Sequence, residues 1–320
     1  MNICFMIKNI NQIKGSYRIW VKNLNYYFNK IGIKSRINST NFKKYCIHIY
    51  QKDDFNIKDK KKINGIINPS CDNKLVELFD FVIVGSIEEK ESLLHLNKNI
   101  FIFPLIEKMY LGLERKIHTH KKEIIIGYHG NSYHLNHMDL GLKDALEDLN
   151  KKFKIKLLYI AETHKNWIEG KPNINIEYCK WDIDTIKDNI YKFDIGIIPN
   201  ISEIYNKNEL NTDIRLGKYS TDLKIRFKNK SNNGRLLVLA QCGIPIVADI
   251  TPSNMHILGD PDNGFAVLGK EGWYNALYKL CDSYKLRNKV SKNAYNEVKR
   301  LYDPYQWAKK LYNNIIVIKK

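Results

Sequence analysis

Little in this sequence would interrupt or staple a chain. Proline numbers 8 and glycine 17 in 320 residues, which excludes a collagen-like or Pro/Gly-rich disordered polymer. The six cysteines, Cys4, Cys46, Cys71, Cys179, Cys242 and Cys281, stand singly. With no CxxC pair and no His-Cys cluster at zinc-ligand spacing, they exclude a zinc ribbon and a disulfide framework, and read as reduced, mostly buried thiols. No apolar run approaches membrane-spanning length, and the apolar start of MNICFMIKNINQIKG ends at Lys8, too soon for a signal-peptide core. The expectation is a cytoplasmic protein, at most peripheral at the inner face of a membrane.

Acidic residues are also in deficit, 34 Asp and Glu against 52 Lys and Arg, a formal charge of +18. A field of that size fits three partners: nucleic acid, an anionic membrane surface, or small phosphorylated ligands. The abundance of Lys, Asn, Ile and Tyr fits an AT-biased coding sequence equally well. What is present in quantity is core material, with 44% hydrophobic and 12% aromatic residues over a length comfortable for two domains.

Short apolar runs alternate with amphipathic stretches, the pattern of strand-helix-strand units and a parallel sheet. Strands are predicted over 3–7, 45–50, 63–67, 81–84 and 100–103, with a helix over 17–28 stopped by Gly32. The pattern then restarts. Strands are expected over 123–128, 156–160, 193–198 and 244–248, and helices over 140–151, 235–241, 273–280, 286–299 and 304–315. These give an α/β fold of two Rossmann-like, doubly wound domains facing a cleft. The expected boundaries are 1–110 for an N-terminal acceptor-side domain, 111–122 for a linker and 123–303 for a C-terminal nucleotide-sugar domain. A last helix, 304–320, is expected to cross back to the first domain.

The most informative stretch is KNKSNNGRLLVLAQCGIPIVADITPSN, from Lys228 to Asn254. Lys228, Lys230 and Arg235 place three cations ahead of and at the start of a helix, whose free N–H groups and partial positive charge make a site for a diphosphate. Asn232 and Asn233 are candidate caps, and Gly234 permits close backbone approach. A solvated basic loop is the plain alternative for the lysines. Cys242-Gly243-Ile244-Pro245 reads as a tight turn into a buried strand, and Thr251-Pro252-Ser253-Asn254 as a polar loop at that strand's end, with Ser253 and Asn254 as candidate donor contacts.

The order Phe193-Asp194-Ile195-Gly196-Ile197-Ile198-Pro199, the lysine-rich loop, RLLVLAQCGIPIVA, Asn263-Gly264-Phe265-Ala266, Trp273, Leu280 and Arg287 resembles the donor-binding half of GT-B glycosyltransferases. It is similar in particular to the group with a Glyco_trans_1-type C-terminal domain, over about 200 residues from Ile124 onward. The resemblance implies a nucleotide-diphosphate sugar, UDP- or GDP-linked, against the C-terminal domain. It also implies that the loop Gly127-Tyr128-His129-Gly130-Asn131-Ser132 faces the donor phosphates, with His129 as a hydrogen-bonding group and Gly130 and Asn131 giving close approach. The sequence departs from the family where many retaining members carry an acidic pair: counted back from Gly243, those positions hold Lys230 and Val238.

The N-terminal half resembles the family in architecture only. Gly15, Ser16 and Arg18 follow the first strand, where Arg18 is a candidate contact for an anion and equally an ordinary helix-start arginine. Asp72 and Glu89 follow later strands and are candidate bases for deprotonating an acceptor hydroxyl, with helix capping as the alternative for both. No DxD-type metal site is evident, so the cations are expected to offset the leaving diphosphate without a divalent ion. The function implied is transfer of a sugar to a hydroxyl of a surface polysaccharide or lipid-linked glycan. Alternatives are a DNA-modifying glycosyltransferase, for which nucleic acid is the acceptor, and a non-catalytic GT-B-like binding protein.

Overall fold

The computed structural model describes residues 1–8, 10, 15–52, 57, 59–69, 73–138, 141–203, 225–227 and 232–318. The chain divides into two compact units. The N-terminal unit comprises Met1–Leu111, Asn232–Val238 and Val298–Lys320, and the C-terminal unit comprises Gly112–Ser231 and Leu239–Glu297.

In chain order the first 111 residues hold β1 (Ile3–Met6), α1 (Gly15–Tyr17), α2 (Leu24–Lys30), β2 (Ser35–Ile37), β3 (Ile47–Gln51), β4 (Ile63–Ile67), α3 (Asn73–Leu78), β5 (Phe81–Val84), α4 (Ile87–Leu93) and β6 (Ile100–Ile102). Between α1 and α2 the helix continues through a π-helical stretch, Arg18–Asn23, so the single helix expected over 17–28 is a composite of three segments. The sheet is wholly parallel in the order β2-β1-β3-β4-β5-β6. Strands β1, β3, β4 and β5 are buried along their whole length, which is why β1 and β5 are unbroken apolar runs rather than alternating ones, while β3 and β4 also bury the polar residues His48, Gln51 and Asn64.

The C-terminal unit begins with β7 (Glu123–His129), α5 (Leu142–Asn150), β8 (Lys154–Ala161), β9 (Asn175–Lys180), α6 (Ile186–Tyr191) and β10 (Ile195–Ile198). A two-stranded antiparallel ribbon, β11 (Ile201–Glu203) with β12 (Ile225–Phe227), precedes α7 (Gly234–Gln241). Then follow β13 (Ile246–Asp249), α8 (Pro252–Leu258), β14 (Phe265–Val267), α9 (Gly269–Asp282), α10 (Tyr284–Leu301) and α11 (Pro304–Ile316). Its six-stranded sheet runs β14-β13-β10-β7-β8-β9, all parallel. The architecture is α/β, two parallel six-stranded sheets with helices on their faces.

Helix α7 ends as expected at Gly243. Ile244 N–H bonds Leu239 O and Gly243 N–H bonds Ala240 O, both at 2.9 Å, the paired bonds of a Schellman cap. Gly243 takes φ +70°, and an added Cβ would lie 2.2 Å from Arg115 Cγ. The polar loop expected at Thr251–Asn254 is instead the start of α8. Thr251 Oγ1 accepts Asn254 N–H and Pro252 stands at the first helical position, where its missing N–H costs nothing. Besides the ribbon strands β11 and β12, three strands of the two larger sheets, β2, β9 and β14, are absent from the sequence expectation, and these three lie at sheet edges. There a strand needs neither a second buried face nor a continuous apolar run.

Among the described cysteines, Cys4, Cys242 and Cys281 are buried, Cys179 is half-buried and Cys46 exposed; burial pushes the Cys242 and Cys281 thiols up to about 12. Among the described residues no helix is long and apolar enough to cross a membrane.

Candidate active site

In the C-terminal unit the first strand, β7, stands in the middle of its sheet, with β8 and β9 to one side and β10, β13 and β14 to the other. The winding therefore reverses between β7 and β10, and crevices at such switch points, outside the carboxyl ends of the strands, are where doubly wound sheets take ligands. Gly127 and Tyr128, expected in the phosphate-facing loop, lie inside β7. Gly127 is small for packing: an added Cβ would fall 1.9 Å from Cγ of Phe193.

The loop proper starts at His129, which is half-buried and is the last residue of β7. Gly130 follows at φ +132°, a region closed to most side chains, and its N–H bonds Ile160 O at 2.9 Å. Asn131 caps the next turn through Oδ1, which accepts Tyr133 N–H at 3.0 Å, while Tyr128 Oη donates to Asn131 O at 2.7 Å. Ser132 Oγ donates to Thr163 O at 2.6 Å. These bonds fasten the β7 loop to the β8 exit and leave His129 at the rim of the switch point on a defined backbone.

The opposite rim is held by Asp249, the last residue of β13 and only 6% exposed. Its carboxylate accepts Asn200 N–H at 2.6 Å and the Trp273 indole N–H at 3.2 Å, and its carbonyl accepts from Asn254 Nδ2 at 3.1 Å. Asn254 has no exposed surface and Ser253 is 5% exposed, so the contacts of Asn254 are those of a residue that shapes the β13 exit. Asp249 was not singled out from the sequence. Its one available signal was a carboxylate closing an otherwise apolar run, IPIVAD.

Asp194 and Arg287, both within the motif order that carries the family resemblance, hold the segment that opens this unit. The Asp194 carboxylate accepts from Lys121 at 2.7 Å, Lys116 at 3.2 Å and Ile125 N–H at 3.0 Å. Burial raises its pKa, but these cations and N–H groups outweigh it and hold the group below its ordinary value. Arg287 donates to Leu280 O at 2.6 Å, at the end of α9, and to Thr119 O at 2.8 Å. His118, 2% exposed, meets Gly243 O through Nε2 at 2.9 Å, and burial pushes its pKa down to about 4. The segment expected as a linker is thus pinned along its length to the C-terminal unit.

In the N-terminal unit the winding reverses between β1 and β3. Gly15 and Ser16 open α1 just beyond that point. The Arg18 guanidinium forks onto Glu107, with Nε and Nη2 each 2.8 Å from a carboxylate oxygen, so its charge is matched within the unit. Glu89 is 7% exposed; its Oε2 accepts Gly85 N–H at 2.8 Å and its own N–H donates to Ser86 Oγ at 3.1 Å. Ser86 thus caps α4 and the Glu89 side chain reaches back past it to Gly85, the capping role that was the structural alternative for this residue.

At the start of α7, Asn232 Oδ1 accepts Gly234 N–H at 3.1 Å, whereas Asn233 turns inward, 5% exposed, and donates to Tyr302 Oη at 2.7 Å. An added Cβ on Gly234 would sit 3.1 Å from Cβ of Leu105, so the close approach this glycine permits is to Leu105. Arg235 is half-buried in the first turn. Val238, at one of the two positions where the resemblance expects a carboxylate, is 3% exposed. Asp72, Lys228 and Lys230 lie outside the described residues.

No protein-family model matches the sequence, and no curated protein matches it either. Solved structures share the fold. S. aureus TarM, in complex with Fondaparinux, alpha-GlcNAc-glycerol and UDP, matches with a TM-score of 0.61 at 15% identity over 91% of this chain, which spans 58% of the TarM chain. Sucrose-phosphate synthase from Thermosynechococcus elongatus matches at 0.63 and 11% identity, with the whole of both chains covered. Anabaena HepE in complex with UDP and glucose matches at 0.61 and 9% identity, over 99% of this chain and 100% of its own. The fold is that of the GT-B glycosyltransferases.

Proposed function

We propose that this chain is a glycosyltransferase that moves a sugar from a nucleoside-diphosphate donor to a hydroxyl acceptor. The observation that carries the reading is the β7/β10 switch point of a GT-B fold, rimmed by His129, Gly130 and Asn131 on a loop that only glycine can turn. His129 is the polar contact for a donor phosphate, with Gly130 letting the backbone approach closely and Asn131 at the loop's outer end beside it. Lys228, Lys230 and Arg235, leading into and opening α7, offset the charge of the leaving diphosphate, so the reaction is assigned as independent of a divalent ion. UDP is the favoured carrier because TarM and HepE were both solved with it. The acceptor class we assign is a surface polysaccharide or a lipid-linked glycan.

Titration calorimetry with UDP, GDP and UDP-glucose tests this. UDP is expected to bind, His129→Ala and Arg235→Ala to weaken it by roughly tenfold each, as loss of a hydrogen bond to a charged group would, and EDTA to leave turnover unchanged. Failure of the intact chain to bind any nucleoside diphosphate would sink the reading.

A further inference from the structure

The charge of +18 is unevenly divided. The N-terminal unit holds 25 Lys and Arg against 11 Asp and Glu, a net +14, and the larger C-terminal unit 27 against 23, a net +4. Within the N-terminal unit part of the excess gathers on one helical face. Lys22, Tyr26 and Lys30 are spaced four residues apart and so line one side of the helix ending in α2. Lys108 Nζ lies over the Tyr26 ring at 3.6 Å and Lys30 Nζ at 5.7 Å. Helix α11 continues the surface: Tyr305 packs edge-on against Tyr27 at 5.4 Å, and Tyr27 in turn meets the Tyr26 ring at 5.7 Å. Lys309 stands one turn beyond Tyr305, and Lys310 Nζ lies 5.1 Å from the Trp307 ring. All five lysines are exposed. The two carboxylates in these segments are engaged, Glu107 with Arg18 and Asp303 as the cap of α11.

We propose that this face, built from Tyr26, Lys30, Lys108, Tyr305, Lys309 and Lys310, docks on an anionic lipid surface. Two features favour lipid headgroups over nucleic acid. The four cations of this face are all lysines, flexible point charges rather than the planar guanidinium that reads phosphates and bases bidentately. The Tyr26 and Trp307 ring faces are also covered by ammonium groups, which removes the open platform on which bases stack. Lysine stems over amphipathic rings suit the headgroup zone, where the ring sits among glycerol groups and the ammonium reaches lipid phosphate. Each such lysine adds attraction that falls away within a Debye length. The inference deepens the acceptor class proposed above but rests on this surface alone, so UDP affinity is measured beside it.

Vesicles of phosphatidylglycerol and phosphatidylcholine in about equal amounts, and vesicles of phosphatidylcholine alone, provide the test in about 0.1 M salt. The intact chain should sediment with the first and not the second. The variant K30E/K108E/K309E/K310E should lose at least ~100-fold in partitioning. The control K122E/K165E/K285E/K292E, the same charge change on exposed lysines of the C-terminal unit, should stay within about threefold. Both variants should keep the parent's melting temperature and UDP affinity. Absence of binding to the anionic vesicles, or equal loss in the two variants, overturns the proposal. So does binding to duplex DNA at the same salt that is tighter than vesicle binding and depends on the same four lysines. Vesicle binding that fails while UDP still binds refutes the docking face and leaves the transferase reading standing.

Discussion

At the scale of single residues, His118 ties stability to pH. Its folded-state pKa, near 4, lies below the ordinary 6.5 because burial disfavours the imidazolium. A base whose folded pKa is depressed takes up a proton on unfolding. Its stabilising share is therefore complete above about pH 6.5 and drains away as the pH falls toward 4, by up to about 3 kcal/mol. Urea unfolding at pH 7 and pH 5 should show that loss in the parent and a visibly smaller one in His118→Gln. Equal pH dependence in both would contradict it. Gly127, Gly234 and Asn254 teach a related lesson, because each looks like a ligand contact in the sequence. In the structure the two glycines make room for Phe193 and Leu105, and Asn254 holds the carbonyl of Asp249. A residue type suited to close approach does not say what approaches.

At the scale of elements, the central strands were legible because burial on both faces of a parallel sheet favours largely apolar runs, and the long helices because their apolar residues recur at helical spacing. The edge strands β2, β9 and β14 were not. Their burial is partial, as in β9, where no residue is fully buried, and their pairing is set by the neighbouring strand. Helix α8 hid behind its own cap, since Thr-Pro-Ser-Asn is as good a loop as a helix start until the following residues are seen to bury Ile257 and Leu258. Removing the cap hydroxyl with Thr251→Ala should cost about 1 kcal/mol in urea unfolding. A cost near zero would mean that Pro252 alone sets the start of α8.

At the scale of the whole molecule, the chain returns to its beginning. Ala308, Leu311 and Ile315 of α11 are buried in the core built by β1, β3 and the helix ending in α2, and Tyr312 Oη meets the Met1 amino group at 2.6 Å. Leu311→Ala should therefore destabilise the N-terminal unit by about 2–5 kcal/mol, the range for a buried leucine that leaves a cavity. Hydrogen exchange would show loss of protection in β1 and β3, more than 250 residues away in sequence, and protection unchanged there would refute the placement. The spacing of Trp307, Leu311 and Ile315 announced an amphipathic helix. Nothing local named its partner.

By itself the sequence determined the α/β class, the tandem arrangement of two such patterns and the order of elements that resembles a donor domain, because hydrophobic period and turn chemistry are local. The tertiary structure decided the strand orders and hence the switch point at β7/β10. It also decided which polar groups are consumed in holding loops, Glu89 in its cap and Arg18 against Glu107, and which lysines share a face. Those depend on which distant segments meet, and a side chain's role is fixed by what it meets as much as by its chemistry.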